Sequence, residues 1–125
     1  MDSRTLHIAF NRAYRSVAWD KHGENEYVLV GDGLDIDVQR LQDLVDATFS
    51  MQALWLSLGR HEAVAVPRQN AAVFLAQRLQ PRSNVCISDE NVHVFLELHF
   101  LGVARTGVAQ ANYSFKRTRE KPRAA

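Results

Sequence analysis

One long run of alternating side chains, from Val92 to about Ala104, most constrains what this chain can fold into. Successive side chains of a strand point to opposite faces of a sheet. One face would carry Val92, Val94, Leu96, Leu98 and Phe100, and the other His93, Phe95, Glu97, His99 and Leu101. Because Val85-Cys-Ile87 and the turn-forming Ser88-Asp-Glu-Asn91 precede this run, the sequence predicts a β-hairpin with a long second arm.

Helical spacing of apolar residues appears in three other segments. Residues 4–21 are predicted as a helix that Ser3 caps, although the alternation of Leu6, Ile8 and Phe10 leaves a strand open as the alternative. Residues 38–58 are predicted as a second helix, capped by Asp35 or Asp37. A third helix is predicted from Pro67 to about Leu79, since proline suits a first helical turn.

Two short β-branched segments, Glu26–Val30 and Ala63–Val66, are predicted as strands, the first ending in the tight turn Gly31-Asp-Gly33. Helices and strands then alternate before the final hairpin. This order predicts a small α+β domain with a mixed, mostly antiparallel sheet and two or three helices on one face.

The charge of the chain is unevenly distributed. With 125 residues, 46% of them hydrophobic, the chain has the size and balance of one globular domain. From Arg105 onward there are six basic residues and one acid, so the preceding 104 residues carry nine basic and thirteen acidic side chains. We predict one domain over residues 1–107 and a basic, disordered tail over 108–125, and the acidic body argues against a nucleic-acid-binding function.

The cellular compartment follows from what the sequence lacks. Cys86 is the single cysteine, so the chain cannot form an internal disulfide, and its apolar neighbours favour a buried position. No apolar stretch approaches the roughly 18 residues of a membrane span, and the N-terminus shows no signal-peptide pattern. A cytoplasmic protein with no membrane partner is expected.

Within the tail, the run Ala111-Asn-Tyr-Ser-Phe-Lys-Arg-Thr118 resembles the translated recombination site at the end of an integron gene cassette. Similar endings occur on otherwise unrelated cassette products. The resemblance covers about eight of the 125 residues and implies a mobile genetic context, with no implication for fold, ligand or catalytic residues.

Glu97 and His99 are the candidate metal ligands. They share one face of the predicted strand about 6–7 Å apart, a separation at which both could contact one divalent ion. His93 lies too far along an extended strand to join them without a bend. A half-exposed sheet face with ordinary polar residues accounts for the same pattern.

Other polar groups have structural explanations. Gly31-Asp-Gly33 is followed by neither a P-loop lysine nor a dinucleotide-binding glycine pattern, and no cofactor is predicted. Asp32, Asp35 and Asp37 suit turns and caps, with a cation or basic ligand as the alternative. Trp19-Asp-Lys-His22 offers an acid and a base, although Lys21 and His22 also suit a helix C-terminus electrostatically.

The leading functional hypothesis is a non-enzymatic accessory protein that binds a small apolar or cationic ligand, or a protein partner, as a homodimer. Trp55, Phe95 and Glu97 are the predicted ligand-binding or interface residues, since aromatic side chains beside a carboxylate suit such a site. Two alternatives stay open: an antitoxin or immunity protein whose acidic body complements a basic partner, and a small enzyme that uses a metal held by Glu97 and His99, with His93 or His22 nearby.

Overall fold

The computed structural model describes residues 3–21, 23–59 and 62–110 of the chain. Three helices are present in these ranges: α1 (Ser3–Arg15), α2 (Val38–Thr48) and α3 (Ala71–Arg78), the last preceded by a short 3₁₀ turn, Arg68–Asn70. The strands are β1 (Val17–Trp19), β2 (Val28–Leu29), β3 (Gly31–Asp32), β4 (Asp35–Ile36), β5 (Ala53–Gly59), β6 (Glu62–Pro67), β7 (Asn84–Ser88), β8 (Val94–His99) and β9 (Val103–Ala109).

Seven of these strands form one sheet in the order β1-β9-β8-β7-β5-β6, with β2 also paired to β9 beside β1. The pairings within it are antiparallel. A separate small hairpin is formed by β3 and β4. The predicted α+β class with a mostly antiparallel sheet is therefore confirmed.

Helices α2 and α3 cover one face of the sheet, as the prediction of two helices on one face requires. Leu41 and Val45 of α2 and Leu75 of α3 are buried there against Leu56 and Leu96 of the sheet. Burial of each such side chain stabilises the fold by about 1.5–3 kcal/mol. This face holds the main hydrophobic core.

Helix α1 lies against the opposite face, so the sheet is covered on both sides. Its buried stripe consists of Leu6, Ala9, Phe10 and Ala13, which matches the spacing seen in the sequence. These residues pack against Phe95 and form a second, smaller core. The alternation of β8 therefore has apolar contacts on both faces, with Leu96 in one core and Phe95 in the other.

The second predicted helix, residues 38–58, is nearly twice as long as the helix observed, which has 11 residues. Helix α2 ends at Thr48, and Phe49 adopts an extended conformation, so Leu54, Trp55 and Leu58 belong to strand β5. The prediction of helix as far as residue 58 was wrong because the apolar spacing of this segment fits the period of a helix as well as that of a strand. Pairing of β5 with β6 and β7 decides the outcome, and this information is not local.

The first predicted helix also ends early. Helix α1 stops at Arg15 rather than near Lys21, and Val17–Trp19 pairs with β9. The helical interpretation of its first part was nonetheless correct, and the alternative strand over Leu6–Phe10 was wrong. The predicted strand Glu26–Val30 is reduced to Val28–Leu29, and the following turn lies at Gly33–Leu34 between β3 and β4.

The long second arm of the hairpin is broken by a turn. Strand β8 ends at His99, and a turn that includes Gly102 leads into β9. Gly102 has a φ of 86°, and a Cβ atom there would lie 2.8 Å from the backbone nitrogen of Gly33. Only glycine fits this conformation and this close approach easily.

Several other predicted elements are confirmed. Strand β6 contains Ala63–Val66, and β7 and β8 form the predicted hairpin. The third predicted helix is present as α3, but it begins at Ala71, and Pro67 is the last residue of β6 rather than part of the first helical turn. The side chain of Asp37 caps α2 by accepting a hydrogen bond from the backbone nitrogen of Arg40 at 3.1 Å.

Among the described residues, no helix has the length and apolar character that a membrane crossing needs.

Candidate functional site

An open cleft of about 350 Å³ lies between α2 and the end of the sheet formed by β1, β8 and β9. Leu44, Ala47 and Thr48 line it from the helix, and Val94 and Val108 line it from the strands. The volume is within the range of small-molecule sites, and most of the lining side chains are apolar. The cleft is therefore suited to a small, largely apolar ligand.

The polar side of the cleft is formed by Asp20 and Thr106. The Thr106 hydroxyl donates to Oδ2 of Asp20 at 2.7 Å, and the backbone N–H of Asp20 donates to the Thr106 carbonyl oxygen at 2.7 Å. The first bond orients the Asp20 carboxylate, and the second holds the backbone of Asp20 against β9. No described basic side chain forms an ion pair with it.

A partly buried ion network lies on the other face of the sheet, under α1. Arg105 Nε donates to Oε1 of the buried Glu97 at 2.8 Å, and Arg105 Nη1 donates to Oε1 of Glu26 at 3.1 Å. The Tyr14 hydroxyl donates to the other oxygen of Glu97, Oε2, at 2.5 Å. These four side chains join α1, the segment before β2, and the adjacent strands β8 and β9.

Aromatic rings enclose the Arg105 guanidinium. Its central carbon lies 3.9 Å from the ring centroid of Trp19 and 5.2 Å from that of Tyr27. Cation–π contacts of this kind gain strength where water is excluded. Burial opposes the charged form of Arg105, but its hydrogen bond to Glu97 and the negative charge of Glu97 together raise the pKa of the guanidinium. The network stabilises the packing of α1 against the sheet.

The network alters the acidity of two neighbouring groups. Burial, reinforced by the hydrogen bond to Glu97 and by its negative charge, raises the pKa of Tyr14 to about 12. Burial also raises the pKa of the Cys86 thiol, and the charge of Glu97 on the adjacent strand adds to the effect. Both groups therefore stay protonated at neutral pH, and Cys86 has the character of an inert core thiol.

The raised pKa of Tyr14 predicts a loss of stability at alkaline pH. The pKa of the Tyr14 hydroxyl is about 12 in the folded chain, against 10.0 for a free tyrosine. The stabilisation that the protonated hydroxyl contributes is therefore complete below pH 10 and is lost as the pH rises through about 12. Urea denaturation at a series of pH values should show this decline in the wild type. The Tyr14→Phe variant serves as the reference, and an identical decline in that variant would contradict the assignment.

The cleft and the network are connected through two pairs of consecutive residues. Trp19 faces the network, while the next residue, Asp20, faces the cleft. On β9, Arg105 likewise belongs to the network and Thr106 to the cleft. The stacking of Arg105 on Trp19 and the bond of Thr106 to Asp20 thus hold the same short segment from both faces. The network therefore helps to position the carboxylate of the cleft.

Trp55 and Phe95, predicted as ligand-binding or interface residues, both lie in the smaller core. Phe95 is fully buried, with its ring centroid 5.0 Å from that of Phe10 and 6.3 Å from that of Tyr14. Trp55 is partly buried against the same cluster. Neither residue lines the cleft, which contains no aromatic side chain.

Glu97 and His99, the predicted metal pair, have separate partners. Glu97 is engaged by Arg105 and Tyr14, whereas the His99 ring stacks on Phe100 with centroids 4.6 Å apart and its Nδ1 accepts from the backbone nitrogen of Leu101 at 3.3 Å. In the part of the chain that the structure describes, no group of three or more His, Cys, Asp or Glu side chains could hold a metal ion.

Two predicted features fall on other parts of the chain. His22, named with the metal-dependent alternative, and the cassette-like run Ala111–Thr118 lie outside the described residues.

His93, the other histidine named with that alternative, precedes β8, and its carbonyl oxygen accepts from the backbone nitrogen of Ala109 at 2.7 Å.

Comparison with protein-family models, with curated proteins and with solved structures finds no match for this chain.

Sequence reasoning missed the importance of Arg105 and Thr106. Arg105 was grouped with the basic residues of the tail, although it lies in β9 directly opposite Glu97. The glycine at position 102 could have revealed this pairing, because it marks a turn centred on Leu101. Glu97 and Arg105 are equally far from Leu101 along the chain, so a hairpin with this turn places them opposite each other. Asp20 was considered only as a possible acid at a helix end.

Proposed function

We propose that this protein is a cytoplasmic, non-enzymatic accessory protein that binds a small apolar or cationic ligand in the cleft between α2 and the sheet. The observation that carries the proposal is an apolar cleft of about 350 Å³ with a single carboxylate, Asp20, fixed at its side. An apolar surface with few oriented polar groups is the usual composition of a small-molecule site.

Ligand binding can be tested by NMR titration of the full-length, isotope-labelled protein with a library of small apolar and cationic molecules. We expect shift changes centred on Leu44, Thr48, Val94 and Val108. The Ala47→Phe variant should block these changes, because the new ring would fill the cleft from α2.

The matched control for this titration is Val73→Phe, which adds an aromatic ring to an exposed position of α3 away from the cleft. It should bind like the wild type. Shift changes that fall elsewhere, or that persist in Ala47→Phe, would contradict the proposed site.

The genetic context and the oligomeric state are further parts of the proposal. The resemblance of Ala111–Thr118 to a translated recombination site supports an origin on a mobile gene cassette. For the homodimer, the supporting observation is the exposure of Leu29 (58%), in β2, and of Leu101 (60%), in the turn between β8 and β9. Native mass spectrometry of the full-length protein reports the number of subunits directly.

A second candidate, an antitoxin or immunity protein with a basic partner, is favoured by the charge of α2 and the hairpin before it. Asp32, Asp35, Asp37, Asp43 and Asp46 are all exposed, and Arg40 is the one cation among residues 32–46. Such a surface would steer a basic protein towards it. Co-purification of a basic partner from the native host, weakened by added salt, would support this function, whereas recovery of the chain alone would argue against it.

A further inference from the structure

We propose that the ligand of the cleft is a small primary amine in its cationic form, with the ammonium group at Asp20 and an apolar body against α2 and the strands. This inference rests on the proposed function, since it names the ligand class of the same cleft. The supporting observation is which donors and acceptors of the cleft side chains have no partner within the protein, since only these can bond to a ligand.

Both hydroxyl groups in the cleft have already donated their protons. The Thr106 hydroxyl donates to Oδ2 of Asp20 at 2.7 Å, and the Thr48 hydroxyl donates to the carbonyl oxygen of Leu44 at 2.7 Å. A hydroxyl has one proton to donate and two lone pairs that accept. Towards a ligand, therefore, these two groups offer acceptors only.

Asp20 adds further acceptor capacity and a negative charge. Its Oδ2 is bonded to Thr106, while its Oδ1 accepts no hydrogen bond from a described residue. The remaining side chains that line the cleft, including Leu44, Val94 and Val108, are apolar. The lining side chains thus present acceptors and one negative charge, with no donor.

An ammonium group meets these requirements better than other polar groups. It brings three donors and no acceptor, and a charge-assisted bond to a carboxylate is stronger than a neutral one. A carboxylate or phosphate ligand would be repelled by Asp20 and would find no side-chain donor. The exposed Asp43 of α2 adds negative charge to the same helix, which also favours a cation, whereas the charge of Asp46 is offset by Arg68 at 3.9 Å.

The test is an NMR titration of the full-length protein at pH 7 with three probes of equal chain length: n-pentylamine, 1-pentanol and pentanoate. We expect the amine to bind about fivefold more tightly than the alcohol, because both can donate to the exposed Asp20 carboxylate but only the ammonium adds an opposite charge. Pentanoate should bind more weakly than the alcohol.

Two variants assign the preference to residues. Asp20→Asn should weaken amine binding about fivefold and leave alcohol binding within about twofold, because the charge is lost while the cleft keeps its shape. Asp35→Asn removes an equally exposed carboxylate from the β3–β4 hairpin, away from the cleft, and should bind all three probes like the wild type.

The outcomes separate this inference from the function on which it rests. If the amine and the alcohol bind equally, or if Asp20→Asn leaves the amine preference unchanged, the ligand class is wrong while binding in the cleft stands. If none of the three probes, nor any member of the small-molecule library, perturbs the residues of the cleft, both proposals are overturned.

Discussion

Replacement of Arg105 by methionine is expected to lower the free energy of unfolding by about 3–5 kcal/mol, the usual cost of breaking a buried ion pair. The side chain of Glu97 is only 4% exposed, and without Arg105 its negative charge would have a single partner, Tyr14. The stacking on Trp19 would be lost as well. Urea denaturation followed by tryptophan fluorescence or circular dichroism measures the change.

A double-mutant cycle distinguishes a buried charge from lost packing. Addition of Glu97→Gln to Arg105→Met should restore part of the stability, since no uncompensated charge is left in the interior. Arg40→Met, at an exposed position of α2, should change the unfolding free energy by no more than about 0.5 kcal/mol. A loss below about 1 kcal/mol in Arg105→Met would mean that solvent already screens the network.

The second large effect is expected from Phe95→Ala, which should destabilise the protein by about 3–5 kcal/mol. Phe95 is fully buried, and its ring meets those of Phe10 and Tyr14 edge-on. Removal of the ring would leave a cavity beneath α1, in a smaller core whose other members outside the helix include Val92, Ala109 and the partly buried Trp55. Thermal and urea unfolding report the total loss.

Hydrogen exchange adds a local measurement to this prediction. Amides of α1 should exchange faster in Phe95→Ala, whereas those of α2 should change less, because α2 packs on the other face. Phe95→Leu keeps most of the apolar volume and should cost less than the alanine variant. Equal losses for the two variants, or unchanged exchange in α1, would show that Phe95 does not anchor the helix.

The fold class could be predicted from the sequence because most local patterns agree with the final structure. The apolar stripe of α1, the cap at Asp37 and the alternation in β8 each identify an element from a few neighbouring residues. The errors fall where two periods compete. Between Ser50 and Leu58 the helical spacing continues beyond α2, and only partners elsewhere in the sheet make this segment a strand.

The candidate site was harder to predict because its residues meet only through the sheet. The bond between Asp20 and Thr106, and that between Tyr14 and Glu97, each join positions more than 80 residues apart in the chain. Glu97 was selected for its charge on an apolar strand, but its partners Arg105 and Tyr14 depend on the turn at Gly102 and on the placement of α1. The residue type of Glu97 was enough to identify it as an unusual position. Its partners could be identified only from the register of the strands and the placement of the helix.

The position of β9 has a consequence for biosynthesis. This strand is made late, yet it lies inside the sheet, with β8 on one side and both β1 and β2 on the other. Helix α1 and strand β1 leave the ribosome long before the strand that binds β1 exists, and such distant pairings slow folding. Strand β1 therefore has no partner in the sheet until Val103–Ala109 has emerged, so this side of the sheet can form only after synthesis has passed residue 109.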